Sequence, residues 1–153
     1  MSDDRDLQSL LKSIRQIARA VDIHSRRLDR GFGLTLPQLI VLRSIRDLGE
    51  VTSRAISTAS DLSAPTVVGI LDKLEDKKLI ERYRSSRDRR IVHTRLTRAG
   101  RLLLAEAPSP LGDHFTHTFD ALNERERRNV LQSIDQVASM LAPLVLEREP
   151  ADD

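Results

Sequence analysis

The sequence predicts a mainly α-helical fold in which a helix-turn-helix and one β-hairpin lie between long amphipathic helices at the two ends of the chain. Three observations carry this reading. Apolar residues recur at i, i+3, i+4 and i+7 over 7–28 and again over 130–145. Two short helical segments meet at Asp61, Leu62 and Ser63, a connector tight enough for helix-turn-helix geometry. Two short segments with β character then flank a turn rich in arginine. Eight Arg (82, 84, 87, 89, 90, 95, 98 and 101) stand against one acid, Asp88. The whole chain is +2, so this window at about +7 leaves the remainder near −5. Localised charge carried by Arg rather than Lys suits a surface that meets phosphate. The plain alternative, a solvated basic hairpin with no partner, has to be weighed against what surrounds it.

At 153 residues the chain suits one domain with a real core. Aromatic content of 3 % with no Trp argues against a platform that stacks single-stranded bases. The lack of Cys excludes disulfides, thiolate metal sites and cysteine redox sensing, and it fits a reducing cytoplasm. The acidic start, with Asp3, Asp4 and Asp6, is the opposite of a basic signal-peptide n-region. No apolar run approaches the ~18 residues that would span a bilayer. A soluble, cytoplasmic chain that engages no membrane is expected.

The elements follow in order. Leu7, Leu10, Leu11, Ile14, Ile17, Ala18, Val21 and Leu28 make the stripe of a first helix, capped by Asp3 or Asp4 and stopped at Gly31, Phe32 and Gly33. At roughly 25 residues and 38 Å it is long for the chain, and such a helix usually borrows a second surface to cover its stripe. Thr35 and Gln38 form a capping box with Pro37 between them, opening a helix with Leu39, Leu42, Ile45 and Leu48 inward and Gly49 at its end. Thr52 or Ser53 caps a third helix. Ser63 caps a fourth, with Pro65 in its first turn and Val67, Ile70, Leu71 and Leu74 inward. Strands over 79–84 and 90–96 enclose the basic turn, and Thr97 caps the next helix. Pro108 and Pro110 interrupt or bend that helix, which resumes through Phe115, Phe119 and Leu122. Asn123 and Glu126 form another capping box, opening a last helix that carries Val130, Leu131, Ile134, Val137, Leu141, Leu144 and Val145. The tail 147–153 is polar and expected to fray.

Over 35–100 the pattern resembles the MarR (multiple antibiotic resistance regulator) family of winged helix-turn-helix transcription regulators. The resemblance is carried by Leu34, Thr35, Gln38, Val41 and Leu42. It continues through Leu62, Ser63, Ala64, Pro65, Thr66 and Val67, and then Ile70, Leu71, Asp72, Lys73, Leu74 and Glu75. Leu79, Ile80, Glu81 and Arg82 follow, with Asp88, Arg89 and Arg90, and finally Leu96, Thr97 and Gly100. Each fragment alone is weak. Their order and spacing over about 65 residues are specific.

The resemblance implies a homodimer in which 5–30 and 124–146 interlock, 35–100 forms the DNA-binding lobe and 101–122 is a connecting helix, all within one domain. Leu7, Leu10, Leu11, Ile14, Ile134, Val137, Leu141 and Leu144 are the dimerisation candidates. The helix opened by Ser63 would enter a major groove of double-stranded DNA, and the hairpin would follow the neighbouring minor groove. The residues agree with this. Ser53, Ser63, Ala64, Pro65, Thr66 and Gly69 are small or polar enough for close approach. Amides at the helix start and the hydroxyl of Ser63 or Thr66 suit phosphate. Val67 and Val68 divide between the core and a thymine methyl, and Lys73 reaches a phosphate or base edge. In the wing, Arg90 is the minor-groove candidate, with Asp88 as brace for a neighbouring arginine or the turn. Arg84, Arg87 and Arg89 are backbone anchors.

Two departures bear on the helix pose. Lys78 stands where the family commonly has a helix-ending Gly, so it either takes a left-handed conformation or the helix ends differently. Ser57 stands where Ala is common. His24, Leu28, Phe32 and Leu36 are candidates to line a cleft for a small aromatic or phenolic effector, although a satisfied core or interface histidine is the plainer reading of His24. His114 and His117, near Asp113 and Asp120, lack a strong third ligand, and no metal is expected. There is no phosphate-binding Gly loop, no Gly-x-Ser-x-Gly and no His-Glu-x-x-His, so neither catalysis nor a cofactor is expected. The expected function is a homodimeric regulator, most simply a repressor released by a ligand, on a pseudo-palindromic operator. The rivals are a DNA-binding regulator without an effector, and a helical interaction module whose basic hairpin meets an acidic protein.

Overall fold

Seven helices and one antiparallel hairpin follow one another in a computed structural model that describes residues 4–146. They are α1 (Asp4–Phe32), α2 (Leu36–Leu48), α3 (Ser53–Ser60), α4 (Ala64–Asp76), β1 (Ile80–Arg84), β2 (Val92–Leu96), α5 (Arg98–Glu106), α6 (Asp113–Asp120) and α7 (Glu124–Leu146). Asp3, the side chain of Val145 and the tail 147–153, on which expectations were placed, lie outside the described residues. The chain forms two compact units, one up to Gly112 and one from Asp113 onward. Among the described residues, no helix is long and apolar enough to cross a membrane.

Short-range hydrogen bonds set most boundaries. At α2 the Thr35 hydroxyl accepts from the Gln38 amide (3.3 Å) and the Gln38 side chain accepts from the Thr35 amide (3.1 Å), which completes the capping box. Asn123 and Glu126 make the same reciprocal pair at α7 (3.0 and 2.9 Å). Of the two cap candidates for α3, Thr52 accepts from the Ala55 amide, and Ser53 is the first helical residue. α1 runs through Gly31 and Phe32 and stops at Gly33, whose φ of +63° places it in the left-handed region. The connecting helix is interrupted rather than bent. Ala107 takes the extended conformation that a following proline imposes, and helix resumes only at Asp113.

α2, α3, α4 and the hairpin surround one core. Leu39, Leu42 and Ile45 of α2, Ile56 of α3, Leu71 and Leu74 of α4 and Ile80 of β1 are all essentially inaccessible. Each contributes about 1.5–3 kcal/mol relative to exposure. Leu28, at the end of α1, is buried in the same cluster and anchors that helix to the lobe. The strands pair in the register Ile80 with Leu96, Arg82 with Thr94 and Arg84 with Val92. An isolated bridge adds Val51, whose amide donates to Thr94 O (3.1 Å) while the Thr94 amide donates to Val51 O (2.7 Å). β2 begins at Val92 rather than at residue 90, because Asp88 takes the Arg90 amide (3.0 Å) into the turn.

Lys78 does take the left-handed conformation, with φ +58°. The α4 terminus is a Schellman motif: Lys78 N–H donates to Glu75 O (2.8 Å) and Leu79 N–H to Leu74 O (3.0 Å). Buried Leu74 and Leu79 supply its apolar contact. A side chain at positive φ is strained, so Lys78→Gly is expected to stabilise the protein by about 0.5–1 kcal/mol. A higher urea midpoint at unchanged slope checks this.

Ser57 closes the helix-turn-helix connector. Its hydroxyl donates to Leu62 O, its carbonyl accepts from Leu62 N–H (3.3 Å), and Asp61 turns the corner at φ +54°. The residue that departs from the family pattern thus holds the turn before α4.

Candidate nucleic-acid interface

α4 presents two faces. Val67, Leu71 and Leu74 point into the core, while Ala64, Pro65, Thr66, Val68, Gly69 and Lys73 are exposed. Val67 was also placed among the DNA-contacting candidates, and there the structure corrects the expectation. It is 0 % exposed, whereas its neighbour Val68 is 46 % exposed, so of the two Val68 is the apolar group offered outward. The hydroxyls of Ser63 and Thr66 hydrogen-bond to each other (2.7 Å), and Ser63 Oγ also accepts from the Thr66 amide (3.3 Å). One hydroxyl hydrogen of that pair and the amide of exposed Ala64 remain at the helix start, where the helix dipole favours an anion; Pro65 has no N–H, and the Val67 amide donates to Ser63 O (3.0 Å). Nothing lies within 4 Å of a Cβ built on Gly69. A mid-helix glycine with no packing reason leaves the backbone open to close approach.

The eight arginines between positions 82 and 101 are not equivalent: six lie in the hairpin, and Arg98 and Arg101 lie in α5. Arg82 is only 26 % exposed at its side chain and is held by α4: Nη2 donates to Asp72 Oδ1 (2.6 Å) and Glu75 Oε1 (3.0 Å), and Nε to Glu75 Oε2 (3.3 Å). Glu75 Oε2 also accepts from the Arg82 amide (3.1 Å). The Arg82 hydrogen bonds hold the Glu75 carboxyl below the usual carboxylate range, against the opposing effect of burial. The stabilisation is therefore present above the carboxyl's ordinary titration and lost as pH falls through its lowered folded value, so the tie is intact at neutral pH.

Arg95 lies on the opposite face of the hairpin. It pairs with Glu81 and packs 4.7 Å from the Tyr83 ring centre, with Glu50 at 3.8 Å. The Tyr83 hydroxyl donates to Glu50, and this hydrogen bond, more than the Glu50 charge, raises the phenol above its ordinary range. Arg101 donates to Leu96 O (3.0 Å) and Arg84 to Arg89 O (2.8 Å).

At the turn Asp88 receives the Arg90 amide (3.0 Å), Nε (3.1 Å) and Nη2 (3.0 Å). These bonds hold the Asp88 carboxyl below its ordinary range. The Arg90 side chain is nonetheless 91 % exposed, a guanidinium fixed at its base and open outward. Arg84, Arg87 and Arg89 are exposed beside it, and Ser53 is exposed at the start of α3. The outward residues of α4 and those of the turn belong to the same lobe. Sequence reasoning missed the pairing of Arg82, whose acids Asp72 and Glu75 do show in sequence one turn apart on α4.

The cleft candidates divide. Leu28 is 1 % exposed, so it is a core residue and not a cleft wall. His24 Nε2 donates to Ser109 O (3.0 Å) and is satisfied within its own unit. Phe32 and Leu36 are half-buried. The dimerisation candidates Leu7, Leu10 and Leu11 on α1, and Ile134, Leu141 and Leu144 on α7, are exposed large apolar residues, while Ile14 and Val137 are half-buried. His114 and His117 are exposed on α6, and among the described residues no group of three or more His, Cys, Asp or Glu could hold a metal.

The MarR family model matches residues 34–92, which run from the core residue Leu34 to the first residue of β2. The Staphylococcus aureus regulator MgrA, a helix-turn-helix-type transcriptional regulator, is 33 % identical over 102 residues, covering 63 % of this chain and 67 % of its own. Among solved structures, Bordetella bronchiseptica BpsR is 28 % identical with a TM-score of 0.63, covering 87 % of this chain and 98 % of that one. Its DNA binding is regulated by 6-hydroxynicotinic acid. The S. aureus MepR–DNA complex shares the fold, with a TM-score of 0.64 at 24 % identity, covering 92 % of this chain and 99 % of that one. With its helix-turn-helix, its wing and this match to MgrA, the chain belongs to the MarR family of winged helix-turn-helix transcription regulators.

Proposed function

We propose that the protein acts as a homodimer on a pseudo-palindromic duplex operator and represses transcription until a small aromatic or phenolic ligand releases it. Each protomer lays α4 in a major groove and its hairpin along the adjacent minor groove, with half-sites about one helical turn apart. The observation that carries this is the lobe's outward pairing of an unobstructed helix start, Ser63 to Gly69, with an exposed Arg90 braced at its base. Phosphate contacts from Ser53, Ser63, Thr66, Lys73, Arg84, Arg87 and Arg89 set register. Base-edge and methyl contacts from α4, with Arg90 in a narrow minor groove, set sequence.

Dimerisation is supported by the exposed apolar rows on α1 and α7. Monomers seldom leave such contiguous apolar surface to water. A ligand releases DNA only if it binds two dimer arrangements with different affinity. BpsR makes such a ligand a reasonable class to screen. One observation favours the version without an effector: His24 and Leu28, two of the four cleft candidates, are already occupied within the protomer.

Arg90→Ala is expected to weaken binding to a selected duplex by roughly 1–3 kcal/mol, with the dimer unchanged. Arg87→Ala should instead weaken all sequences alike and lower the salt slope by about one unit. Fluorescence anisotropy over a salt series, with sedimentation for the dimer, reads both. Equal affinity of Arg90→Ala and parent removes the finger assignment. An acidic protein partner in place of DNA predicts no discrimination between duplexes at all.

A further inference from the structure

Arg82 is one of the six arginines that make the hairpin basic, yet its geometry differs from that of its neighbours. Its guanidinium is turned back onto α4, where Asp72 and Glu75 take Nη2 and Nε, and Glu75 additionally takes the Arg82 amide. Among the described residues no other ion pair joins α4 to the hairpin, so Arg82 is the ionic tie between the helix and the wing. The two acids matter as much as the arginine. Asp72 is 57 % exposed at its side chain, on the helix whose outward residues include Gly69 and Lys73.

We propose that Arg82 is a positioning residue for DNA recognition: it fixes the wing's register against α4 without itself contacting DNA. This rests on the DNA-binding reading above. A planar guanidinium suits the role because Nε and Nη2 address one carboxylate side-on while Nη2 also reaches the second. Fixing the strand fixes where the turn places Arg90, since β1 leads into the turn within three residues of Arg82.

The two roles open to Arg82 give Glu75→Gln opposite signs. If Arg82 were a phosphate anchor, Glu75→Gln would release it, add a positive charge to the surface and strengthen DNA binding. If Arg82 positions the wing, Glu75→Gln weakens binding despite the more favourable net charge. The experiment uses the full-length protein and a duplex recovered by selection on the parent, with a scrambled duplex as control. Anisotropy titrations over a salt series compare the parent, Arg82→Gln and Glu75→Gln, and circular dichroism with sedimentation confirms folded protein of unchanged assembly.

The expected result is a fall in affinity of about tenfold for Arg82→Gln with the salt slope unchanged, and of about threefold or more for Glu75→Gln. A slope lowered by about one unit in Arg82→Gln, or tighter binding by Glu75→Gln, overturns the positioning role. Should Arg82→Gln fold poorly, the sign of the Glu75→Gln effect decides alone. A parent that binds no duplex overturns this proposal and the DNA-binding reading together, whereas a parent that binds while Glu75→Gln gains affinity overturns only this one.

Discussion

Gly100→Ala is expected to destabilise the protein by about 3 kcal/mol or more and to lower its thermal midpoint by about 10 °C. The cause is local and steric. A Cβ built on Gly100 comes 2.1 Å from the Leu79 carbonyl oxygen and 3.1 Å from its carbon, both backbone atoms that cannot rotate away. Leu79 O is also held: it accepts from the Thr97 amide (3.0 Å), and the Thr97 hydroxyl donates to Lys78 O (2.7 Å) while accepting from the Gly100 amide (3.1 Å). The added methyl must therefore push α5 off the junction where α4 ends and β1 begins, and the wing moves with it. Differential scanning calorimetry measures the shift. Gly69→Ala is the matched control, because its Cβ meets open space and helix propensity alone favours Ala by about 0.5–1 kcal/mol. A Gly100→Ala protein as stable as the parent would show that this close approach does not exist.

Leu141→Asp is expected to abolish the dimer. α7 exposes Val130, Leu131, Ile134, Met140, Leu141 and Leu144, and α1 exposes Leu7, Leu10, Leu11, Ile17 and Ile23. Covering such rows with a second copy buries each apolar group twice by symmetry. A carboxylate at position 141 would then be buried twice without a partner, at a cost of several kcal/mol. Sedimentation velocity at micromolar concentration should show monomer, and circular dichroism shows whether the monomer keeps its helices. Sedimentation as a dimer identical to the parent would remove α7 from the interface.

What could be read from sequence follows from the range of the interactions involved. Both capping boxes, the Ser63 cap with Pro65 behind it and the break at Pro108 depend on residues within a few positions of each other, so the sequence contains the whole cause. Lys78 could be narrowed to two outcomes, because one residue's φ decides how a helix ends, but only the Leu79 to Leu74 hydrogen bond selects between them. The faces of α4 were harder. Val67 and Val68 are chemically alike and sit only about 100° apart on the helix. The i, i+3, i+4, i+7 spacing of Val67, Ile70, Leu71 and Leu74 favours Val67 for the core, and the packing of α4 against α2 and α3 leaves Val68 outward. The arginines show a limit. Their excess charge is plain in sequence, yet Arg82 is spent on Asp72 and Glu75, and Arg95 on Glu81 and Tyr83, through contacts made across elements. His24 reaches Ser109, 85 residues away, and no spacing rule anticipates such a pair.

In the proposed function the exposed start of α4 and the braced Arg90 together read a duplex. In vitro selection of random-sequence duplex DNA with the purified full-length protein tests it most directly. The expected result is recovery of a pseudo-palindrome whose half-sites lie about one helical turn apart, with a central or flanking A·T-rich minor groove for Arg90. Recovery of sequences with no shared motif, bound no more tightly than the starting pool, would contradict it.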